Sequence, residues 1–309
     1  MTQQSEAIGR FAPSPTGPLH FGSLVAAVGS WLDARAAGAR WAVRMDDVDR
    51  NRTAAGAAED ILRTLEAFGL YWDDPVVYQS TRDEVYAEAL ERLRQQDSAF
   101  PCACTRREVQ AGGQAGPLGF IYPGTCRDGL PPDREARSWR LRTDTGTVHF
   151  DDRARGRQVV HLADEVGDFI IRRGDGLFAY HLAMVVDDAE LGVTDVVRGG
   201  DLLPCTAPQI ALQQALGLAT PRYMHLPVAV NAQGRKLSKQ TKAPPVDASE
   251  PAPALYQALS FLGQHPPEWV ARAAPAESLT WAVQHWRPQG LPAEATLPAP
   301  AGTGERADA

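Results

Sequence analysis

Three short segments carry residues whose types and spacing could do chemistry. In the first, the loop 13–23 places His20 and Gly22 directly before a stretch with helical spacing. The backbone N–H groups and the dipole at a helix N-terminus favour an anion such as phosphate. His20 can donate a hydrogen bond to a phosphate oxygen, and Gly22 lets a nucleotide approach the backbone closely. A histidine that merely caps the helix is the alternative for this loop.

The second segment is basic and follows an apolar stretch. Residues 234–240 have the sequence GRKLSKQ. Lys236 and Lys239 could clamp the phosphates of ATP while negative charge develops at the α-phosphorus. A solvated charged surface is the alternative reading of such a run.

The third segment contains three of the four cysteines. Cys102, Cys104 and Cys126 lie within 25 residues of one another, while Cys205 stands alone and is expected to be a plain thiol. This clustering favours a metal site over a disulfide framework. Three thiolates and one further ligand would complete a tetrahedral Zn²⁺ site. The cysteines alone leave that fourth ligand open, and reduced free thiols are the alternative.

Hydrophobic spacing predicts the elements that would position these segments. A strand at 8–12, a helix at 23–33 and a strand at 39–45 form a βαβ unit, which predicts a parallel sheet with ligands beyond the carboxyl ends of its strands. Helices are predicted at 54–70, 82–95, 181–190 and 202–216, and strands at 193–198 and 226–230. The sequence around 174–176, GDG, predicts a hairpin over 168–180.

Composition excludes several classes of protein. The chain has 309 residues, 44% hydrophobic and 22% charged, which is typical of globular proteins. Its net charge of -7 argues against a generic polyanion binder, although a local basic groove remains compatible with it. The N-terminus lacks the features of a signal peptide, and the chain lacks the roughly 18 to 20 apolar residues that would span a bilayer. We expect a cytoplasmic monomer without membrane contact.

Taken together, the motifs resemble a known enzyme group. The histidine loop and Lys236-Leu237-Ser238-Lys239 resemble the HIGH and KMSKS signatures of class I aminoacyl-tRNA synthetases. The stretches RFAPSPTG at 10–17, RMDDVD at 44–49, VDD at 186–188 and GVTDVVRG at 192–199 resemble the motifs of the glutamyl group in the same order. The resemblance covers about residues 8–245. It implies an α/β Rossmann-type catalytic domain with a parallel sheet that uses L-glutamate and ATP with Mg²⁺.

The resemblance also implies roles for individual residues. Arg10 matches the arginine that takes the side-chain carboxylate of glutamate, for which a guanidinium is the fitting group. Asp46 falls on the acidic position that binds the substrate ammonium. The remaining matches are Ser14, Tyr180 and Arg198 in the glutamate pocket, His20 and Gly22 with Lys236 and Lys239 at ATP, and His20, Lys236 and Lys239 as catalytic residues.

Two positions depart from the pattern of the glutamyl group. The acidic position is usually Glu and here is Asp46, one methylene shorter, so its contact with the ammonium could become water-mediated. The fourth position of the first signature is Ser23 instead of His.

The length of the chain narrows the resemblance further. Only 69 residues follow Gln240, too few for a helical anticodon-binding domain. The chain therefore resembles the truncated glutamyl-queuosine tRNA(Asp) synthetases. That family activates glutamate without tRNA and transfers it to the queuosine base in the anticodon loop of queuosine-containing tRNA(Asp). It also holds one structural Zn²⁺ with a ligand set that here matches Cys102, Cys104, Tyr122 and Cys126.

The expected organisation follows from these matches. Residues 8–100 would form the first half of the catalytic domain, 101–130 a zinc-binding insertion, 131–245 an acceptor-like insertion with the second half, 246–290 a short helical region, and 291–309 a disordered tail rich in Ala and Pro. The acidic residues Asp47, Asp49, Asp187 and Asp188 are expected to form structural pairs and not a metal cluster.

Three other functions remain open at this point. A glutamyl-tRNA synthetase-like enzyme would charge the tRNA 3′ end. A class I-like nucleotidyltransferase would make a small-molecule adenylate and bind no tRNA. A non-catalytic tRNA-binding paralog would have no need of His20, Lys236 and Lys239.

Overall fold

The computed structural model of the chain describes residues 6–143, 146–238 and 243–303. Lys239, which the sequence predicts to be catalytic, lies outside the described residues. The α-helices are α1 (Phe21–Ala36), α2 (Ala57–Ala67), α3 (Asp83–Gln95), α4 (Arg106–Gly112), α5 (Leu162–Glu165), α6 (Tyr180–Glu190), α7 (Thr206–Leu216), α8 (Pro251–Phe261) and α9 (Pro275–His285). The strands are β1 (Ile8–Phe11), β2 (Arg40–Met45), β3 (Val77–Tyr78), β4 (Ala99–Cys102), β5 (Ala115–Gly116), β6 (Gly119–Phe120), β7 (Ser138–Leu141), β8 (Thr147–Asp152), β9 (Gly156–His161), β10 (Ile170–Arg172), β11 (Asp195–Gly199), β12 (Arg222–Leu226), β13 (Val228–Val230) and β14 (Thr296–Pro298).

A seven-stranded, mostly parallel sheet carries the fold. Its order is β3-β2-β1-β11-β12-β8-β9, and only the edge pair β8 and β9 is antiparallel. The predicted βαβ unit is confirmed, since β1 and β2 pair in parallel on either side of α1. Three prolines in the loop after β1 lack the N–H that a strand would need, so the chain leaves the sheet there.

Helix α1 packs tightly against the middle of this sheet. Leu24, Val28 and Leu32 are fully buried in the largest apolar cluster, which also contains residues of α8 and α9. A Cβ on Gly29 would lie 2.6 Å from Leu226 Cδ1. Glycine at this position therefore permits the close approach of α1 to β12.

The predicted hairpin over 168–180 is only partly present. Ile170–Arg172 forms β10, but it pairs with β7 in a second, antiparallel sheet of order β10-β7-β4. A single bridge joins Arg172 to Phe178, and Tyr180 already begins α6. The turn is present, since Arg173 N donates to Leu177 O at 2.8 Å and Ala179 N to Ile171 O at 2.9 Å. The prediction of a full second strand is wrong, because the chain turns into α6 at Tyr180 after the single bridge.

The predicted disordered tail over 291–309 is wrong for the tail residues that the structure describes. Thr296–Pro298 forms β14, which pairs in parallel with β13. Arg155 Nη1 also donates to the carbonyl oxygens of Pro292, Ala293 and Glu294 at 2.8–3.2 Å. Composition did not predict this order, because the pairing with β13 and the bonds from Arg155 use backbone groups that every sequence offers. Leu291 and Leu297 add apolar contacts with the main core. Residues 304–309 lie outside the described part of the chain.

None of the helices in the described residues is both long and apolar enough to cross a membrane.

Candidate active site and metal centre

The predicted site residues meet in one open cavity of about 190 Å³ at the carboxyl ends of the central strands. Arg10 lies on β1, Asp46 follows β2, and Arg198 lies near the end of β11. A doubly wound sheet places ligands at this edge. The predicted residues that line the cavity are Arg10, Ser14, His20, Gly22, Asp46, Tyr180, Arg198 and Lys236.

The guanidinium of Arg10 is held in place by a buried carboxylate. Arg10 is 3% exposed, and its Nε lies 3.3 Å from both carboxylate oxygens of Asp188. Burial raises the pKa of Asp188, but the positive charges of Arg10 and Arg44 outweigh it and hold that pKa below its usual range. The ionised Asp188 therefore orients Arg10 from behind, on α6.

Asp46 is tied to a second buried arginine. Arg44 is fully buried, and its Nε lies 2.6 Å from Asp46 Oδ1. Burial raises the pKa of Asp46, and the charge and hydrogen bonds of Arg44 offset only part of that rise. Asp46 thus lines the cavity with a carboxylate whose position is set from its own strand. The sequence analysis assigns no role to Arg44.

Tyr180 and Arg198 also line the cavity. Burial raises the pKa of Tyr180, so its hydroxyl stays protonated and can donate a hydrogen bond. Arg198 is 4% exposed and contacts His225 and Thr206, two residues that the sequence analysis did not single out. No local sequence signal marks these two residues, because each lies on a different element from Arg198: His225 on β12 and Thr206 at the start of α7.

His20 combines the two readings that the sequence left open. It is the N-cap of α1, and its Nδ1 accepts a hydrogen bond from the Ser23 backbone N–H at 3.3 Å. Its Nε2 lies 3.1 Å from Ser23 Oγ. A Cβ on Gly22 would lie 3.2 Å from His20 Cε1, so the ring rests against this glycine. The same histidine therefore caps the helix and lines the cavity.

Lys236 also lines the cavity. It follows β13, and the N–H of Leu237 donates to Ala229 O at 2.8 Å. Lys236 Nζ lies 2.5 Å from Asp201 Oδ2, on the 3₁₀ turn Gly200–Cys205 that follows β11. The loop that contains Lys236 is thus connected both to β13 and to the turn at the end of β11.

The four acidic residues outside the pocket form structural pairs, as predicted. Asp47 accepts from the N–H and the hydroxyl of Ser80 at 2.8 and 2.7 Å. Asp187 accepts from Gln79 and Tyr86, both at 2.8 Å. The two remaining pairs are Asp49 with Arg173, at 2.7 Å, and Asp188 with Arg10 and Arg44.

Three cysteine sulfurs come together in the segment that follows β4. The Sγ atoms of Cys102, Cys104 and Cys126 all lie within 4.8 Å of one another. The sulfurs of Cys104 and Cys126 lie 3.7 Å apart, close to the spacing of about 3.8 Å expected for two thiolates at 2.3 Å from one tetrahedral Zn²⁺. The Tyr122 hydroxyl lies 3.4 and 3.5 Å from Cys102 and Cys104. These residues fit a metal ion.

The surroundings favour thiolate at Cys102, whereas burial raises the pKa of the Cys104 thiol. Burial also raises the pKa of the Cys102 thiol, but its hydrogen bonds with the Tyr122 hydroxyl and the Arg140 guanidinium outweigh this effect and bring that pKa to about 7. Arg140 is buried, with its Nε 3.3 Å from Cys102 Sγ and its guanidinium 3.8 Å from the centre of the Tyr122 ring.

The sequence analysis did not predict the helix α4 that follows Cys104. Thr105 and Glu108 form a capping box at its start, and this spacing is a sequence signal for a helix N-terminus.

Comparison with known proteins bears on all of these features. The family model for tRNA synthetases class I (E and Q), catalytic domain, matches residues 7–252. The chain is 56% identical to the glutamyl-Q tRNA(Asp) synthetase of Aromatoleum aromaticum, over 97% of this chain and 95% of that protein. It is also 56% identical to the enzyme of that name from Dechloromonas aromatica, over 95% and 98% of the two chains.

Solved structures give the same fold. A glutamate tRNA ligase from Elizabethkingia meningosepticum, crystallised with its amino acid, superposes with a TM-score of 0.78 over 97% of this chain and 68% of that one, at 23% sequence identity. Fold, family model and full-length relatives agree, and the chain therefore belongs to the glutamyl-Q tRNA(Asp) synthetases, within the catalytic-domain family of class I tRNA synthetases (E and Q).

Proposed function

We propose that this chain is an ATP-dependent ligase that converts L-glutamate to glutamyl-adenylate without tRNA. It then transfers the glutamyl group to the queuosine base in the anticodon loop of tRNA(Asp). The observation that carries this proposal is the single cavity that joins Arg10, Asp46 and Arg198 with His20 and Lys236. Groups suited to an amino acid and groups suited to phosphates line the same space.

Activation in this cavity needs position and charge more than a protein nucleophile. The α-carboxylate of glutamate attacks the α-phosphorus of ATP, and pyrophosphate leaves with Mg²⁺ that ATP brings. His20 and Lys236 lie where they can stabilise the charge that develops on the phosphoryl oxygens, and Lys239 is assigned the same task from the sequence motif. Arg10 and Arg198 hold the glutamate side chain so that its α-carboxylate faces the phosphorus.

Transfer follows from the same arrangement. A hydroxyl of the cyclopentene-diol of queuosine attacks the carbonyl carbon of the mixed anhydride, and AMP leaves. Tyr180 and Asp46 contact the amino end of glutamate in this proposal, which keeps the activated carbonyl in place for the incoming base.

The first experiment is ATP–pyrophosphate exchange with each amino acid in the absence of tRNA. Exchange with glutamate alone is the expected result. Exchange that requires added tRNA would point to a glutamyl-tRNA synthetase-like enzyme, and the absence of exchange in both conditions would favour a binding protein or another substrate.

The acceptor is tested with matched tRNAs. Radioactive glutamate should be incorporated into tRNA(Asp) that contains queuosine and not into the same tRNA with guanine at that position. Removing the 3′-terminal adenosine should leave incorporation unchanged. Loss of incorporation after this removal would place the acceptor at the 3′ end and contradict the proposal.

The glutamate pocket is tested through Arg10. Arg10→Ala removes the buried guanidinium beside Asp188, so we expect a rise of about 100-fold or more in KM for glutamate, the cost of losing a charge-assisted pair of hydrogen bonds. Exchange kinetics with glutamate and glutamine measure the change. A variant that keeps the full preference for glutamate would contradict the assignment of Arg10.

The cysteine centre is proposed to hold one structural Zn²⁺ through Cys102, Cys104, Cys126 and Tyr122. The ion would cross-link β4 to the loop before β7 and so reinforce the small apolar cluster that contains Phe100, Ala103 and Val109. The close sulfurs and the lowered pKa of Cys102 support this proposal.

A further inference from the structure

Behind Arg198 lies a buried histidine–aspartate pair that the motifs do not include. His225 is fully buried on β12, and its Nδ1 lies 2.6 Å from Asp152 Oδ2 at the end of β8. The side chain of Asp152 is also fully buried. Its other oxygen, Oδ1, accepts hydrogen bonds from the backbone N–H groups of Ala154, Arg155 and His225 at 2.8–3.2 Å. The carboxylate is thus fixed before it meets the ring.

The sheet brings these groups together. Arg198 on β11 and His225 on β12 are direct partners in the parallel register, and β12 pairs on its other side with β8 through Tyr223 and Asp152. The ring of Tyr223 stacks on that of His225, with centroids 6.2 Å apart and planes inclined by 10°. Three neighbouring strands therefore place carboxylate, imidazole and guanidinium in one line.

The partners determine which ring nitrogen of His225 carries the proton. Burial raises the pKa of Asp152, but the hydrogen bond from His225 outweighs it and lowers that pKa, so Asp152 is ionised and can only accept. Nδ1 must then carry the proton. Arg198 Nε lies 3.0 Å from His225 Nε2 and can only donate, so Nε2 must be bare. Burial lowers the pKa of His225, in agreement with a neutral ring.

This tautomer fixes one edge of the Arg198 guanidinium. Its Nε donates to His225 Nε2, and its Nη2 donates to Thr206 Oγ1 at 2.8 Å and to Leu202 O at 3.2 Å. Its Nη1 is buried and makes no hydrogen bond to the part of the chain that the structure describes. Arg198 also lines the cavity. A buried donor without a partner is costly, and a ligand in the cavity could supply its acceptor.

We propose that Asp152 and His225 are positioning residues for Arg198: the carboxylate sets the imidazole tautomer, the imidazole holds the guanidinium, and Nη1 is thereby presented to a carboxylate of glutamate. This inference rests on the proposed function, because it takes glutamate as the occupant of the cavity. Neither residue touches the substrate, so both act through Arg198.

The sharpest test is Asp152→Asn. The asparagine keeps the shape of the side chain and an oxygen for the three backbone N–H groups, but it turns the group facing His225 Nδ1 into a donor. The ring must then carry its proton on Nε2, where it meets the N–H of Arg198. We expect KM for glutamate to rise by about tenfold or more, the worth of a hydrogen bond to a charged group. KM for ATP should stay within about twofold, since only uniform binding of glutamate is lost.

A control and a rescue accompany this variant. Asp151→Asn changes the preceding residue, whose carboxylate is exposed and pairs with Arg157, and it should leave both KM values unchanged. His225→Gln can place an amide oxygen near the position of Nε2, whereas His225→Leu has a similar size and offers no acceptor. The Leu variant should therefore raise KM for glutamate more than the Gln variant does.

Nitrogen-15 NMR of the full chain with labelled histidine reads the tautomer independently of activity. His225 should show a protonated Nδ1 in the wild type and a protonated Nε2 in Asp152→Asn. An unchanged KM for glutamate in Asp152→Asn, an equal rise in both KM values, or equal effects of the Gln and Leu variants would each overturn the inference while wild-type exchange leaves the proposed function standing. Absence of glutamate-dependent exchange in the wild type would overturn both.

Discussion

At the scale of single residues, Arg44 joins the two charged ends of the proposed glutamate pocket. Its Nε lies 2.6 Å from Asp46 Oδ1, and its Nη1 lies 2.6 Å from Asp188 Oδ1. Asp188 in turn orients Arg10. One fully buried guanidinium therefore connects the carboxylate proposed to face the substrate ammonium with the arginine proposed to face its carboxylate. Removing one member of such a buried network leaves an unpaired charge and costs about 3–5 kcal/mol.

A half-buried residue, His181, whose Nδ1 is itself buried, predicts how the free energy of unfolding depends on pH. Burial, with a smaller contribution from the charge of Arg198, lowers the pKa of His181 to about 4. Between an unfolded pKa of about 6.5 and the folded value, the unfolded chain binds a proton that the folded chain does not. The free energy of unfolding should therefore fall as the pH drops through this window, by up to about 3 kcal/mol from this residue.

His181→Phe removes the titrating group and keeps a ring between Phe169 and Tyr180. Urea unfolding at pH 8, 6 and 5 should show a smaller loss of stability with acid in the variant than in the wild type. The values at pH 8, where both chains carry a neutral ring, provide the baseline. Parallel curves for the two proteins would contradict the lowered pKa.

At the scale of elements, the contact between α1 and β12 depends on a glycine. Gly29→Ala would place a Cβ 2.6 Å from Leu226 Cδ1, and Leu226 is itself only 1% exposed and has little room to move. We expect the free energy of unfolding to fall by about 1–2 kcal/mol, after the better helix propensity of alanine has offset part of the overpacking.

Gly112→Ala is the matched control for this prediction. Gly112 is the last residue of α4, and a Cβ there would lie 3.5 Å from Pro123 Cγ, an ordinary van der Waals contact. Its stability should stay unchanged or rise by up to about 1 kcal/mol. Denaturant unfolding of both variants measures the difference, and equal destabilisation would show that space at Gly29 is not the cause.

The cysteine segment makes a prediction about metal content. Cys126→Ser removes one of the three thiolates, so zinc bound per chain should fall well below one and the thermal midpoint should drop. Cys205→Ser is the matched control, because Cys205 is buried but lies outside the cluster. Elemental analysis and thermal unfolding provide the two readouts. Equal zinc content in the two variants would contradict the proposed centre.

At the scale of the whole molecule, β14 connects the C-terminal part of the chain to the loop that contains Lys236. β14 pairs with β13, and β13 in turn binds the loop that contains Lys236, because the N–H of Leu237 donates to Ala229 O. Ala299 N also donates to Val230 O at 2.8 Å. β14 therefore braces β13, the strand that precedes the loop from which Lys236 reaches the cavity.

Truncation tests this connection. A chain that ends at Gly290 lacks β14 and should lose about tenfold or more of its glutamate-dependent exchange, because small displacements of a catalytic group are costly. A chain that ends at Thr303 keeps β14 and should match the full chain. Far-UV circular dichroism shows whether the shorter chain is folded. Full exchange in a folded chain ending at Gly290 would contradict the bracing role.

Local sequence was sufficient for the features that depend on neighbours along the chain. Turn-forming prolines and helical spacing predicted β1, α1 and β2, and the resemblance of the motifs to those of the glutamyl group implied that Arg10, Asp46 and Lys236 serve one site. The structure brings these residues into one cavity. Such predictions succeed because βαβ units form by local rules of handedness and place the loops after their strands at one edge.

The contacts that depend on strand order follow only from the folded sheet. The line from Asp152 through His225 to Arg198 requires β8, β12 and β11 to be neighbours, although 73 and 27 residues separate the paired side chains. The pairing of β14 with β13 likewise uses backbone groups that every sequence offers. The local spacing of hydrophobic residues does not predict which distant strand pairs with a given strand, because pairing is set by the packing of the whole sheet.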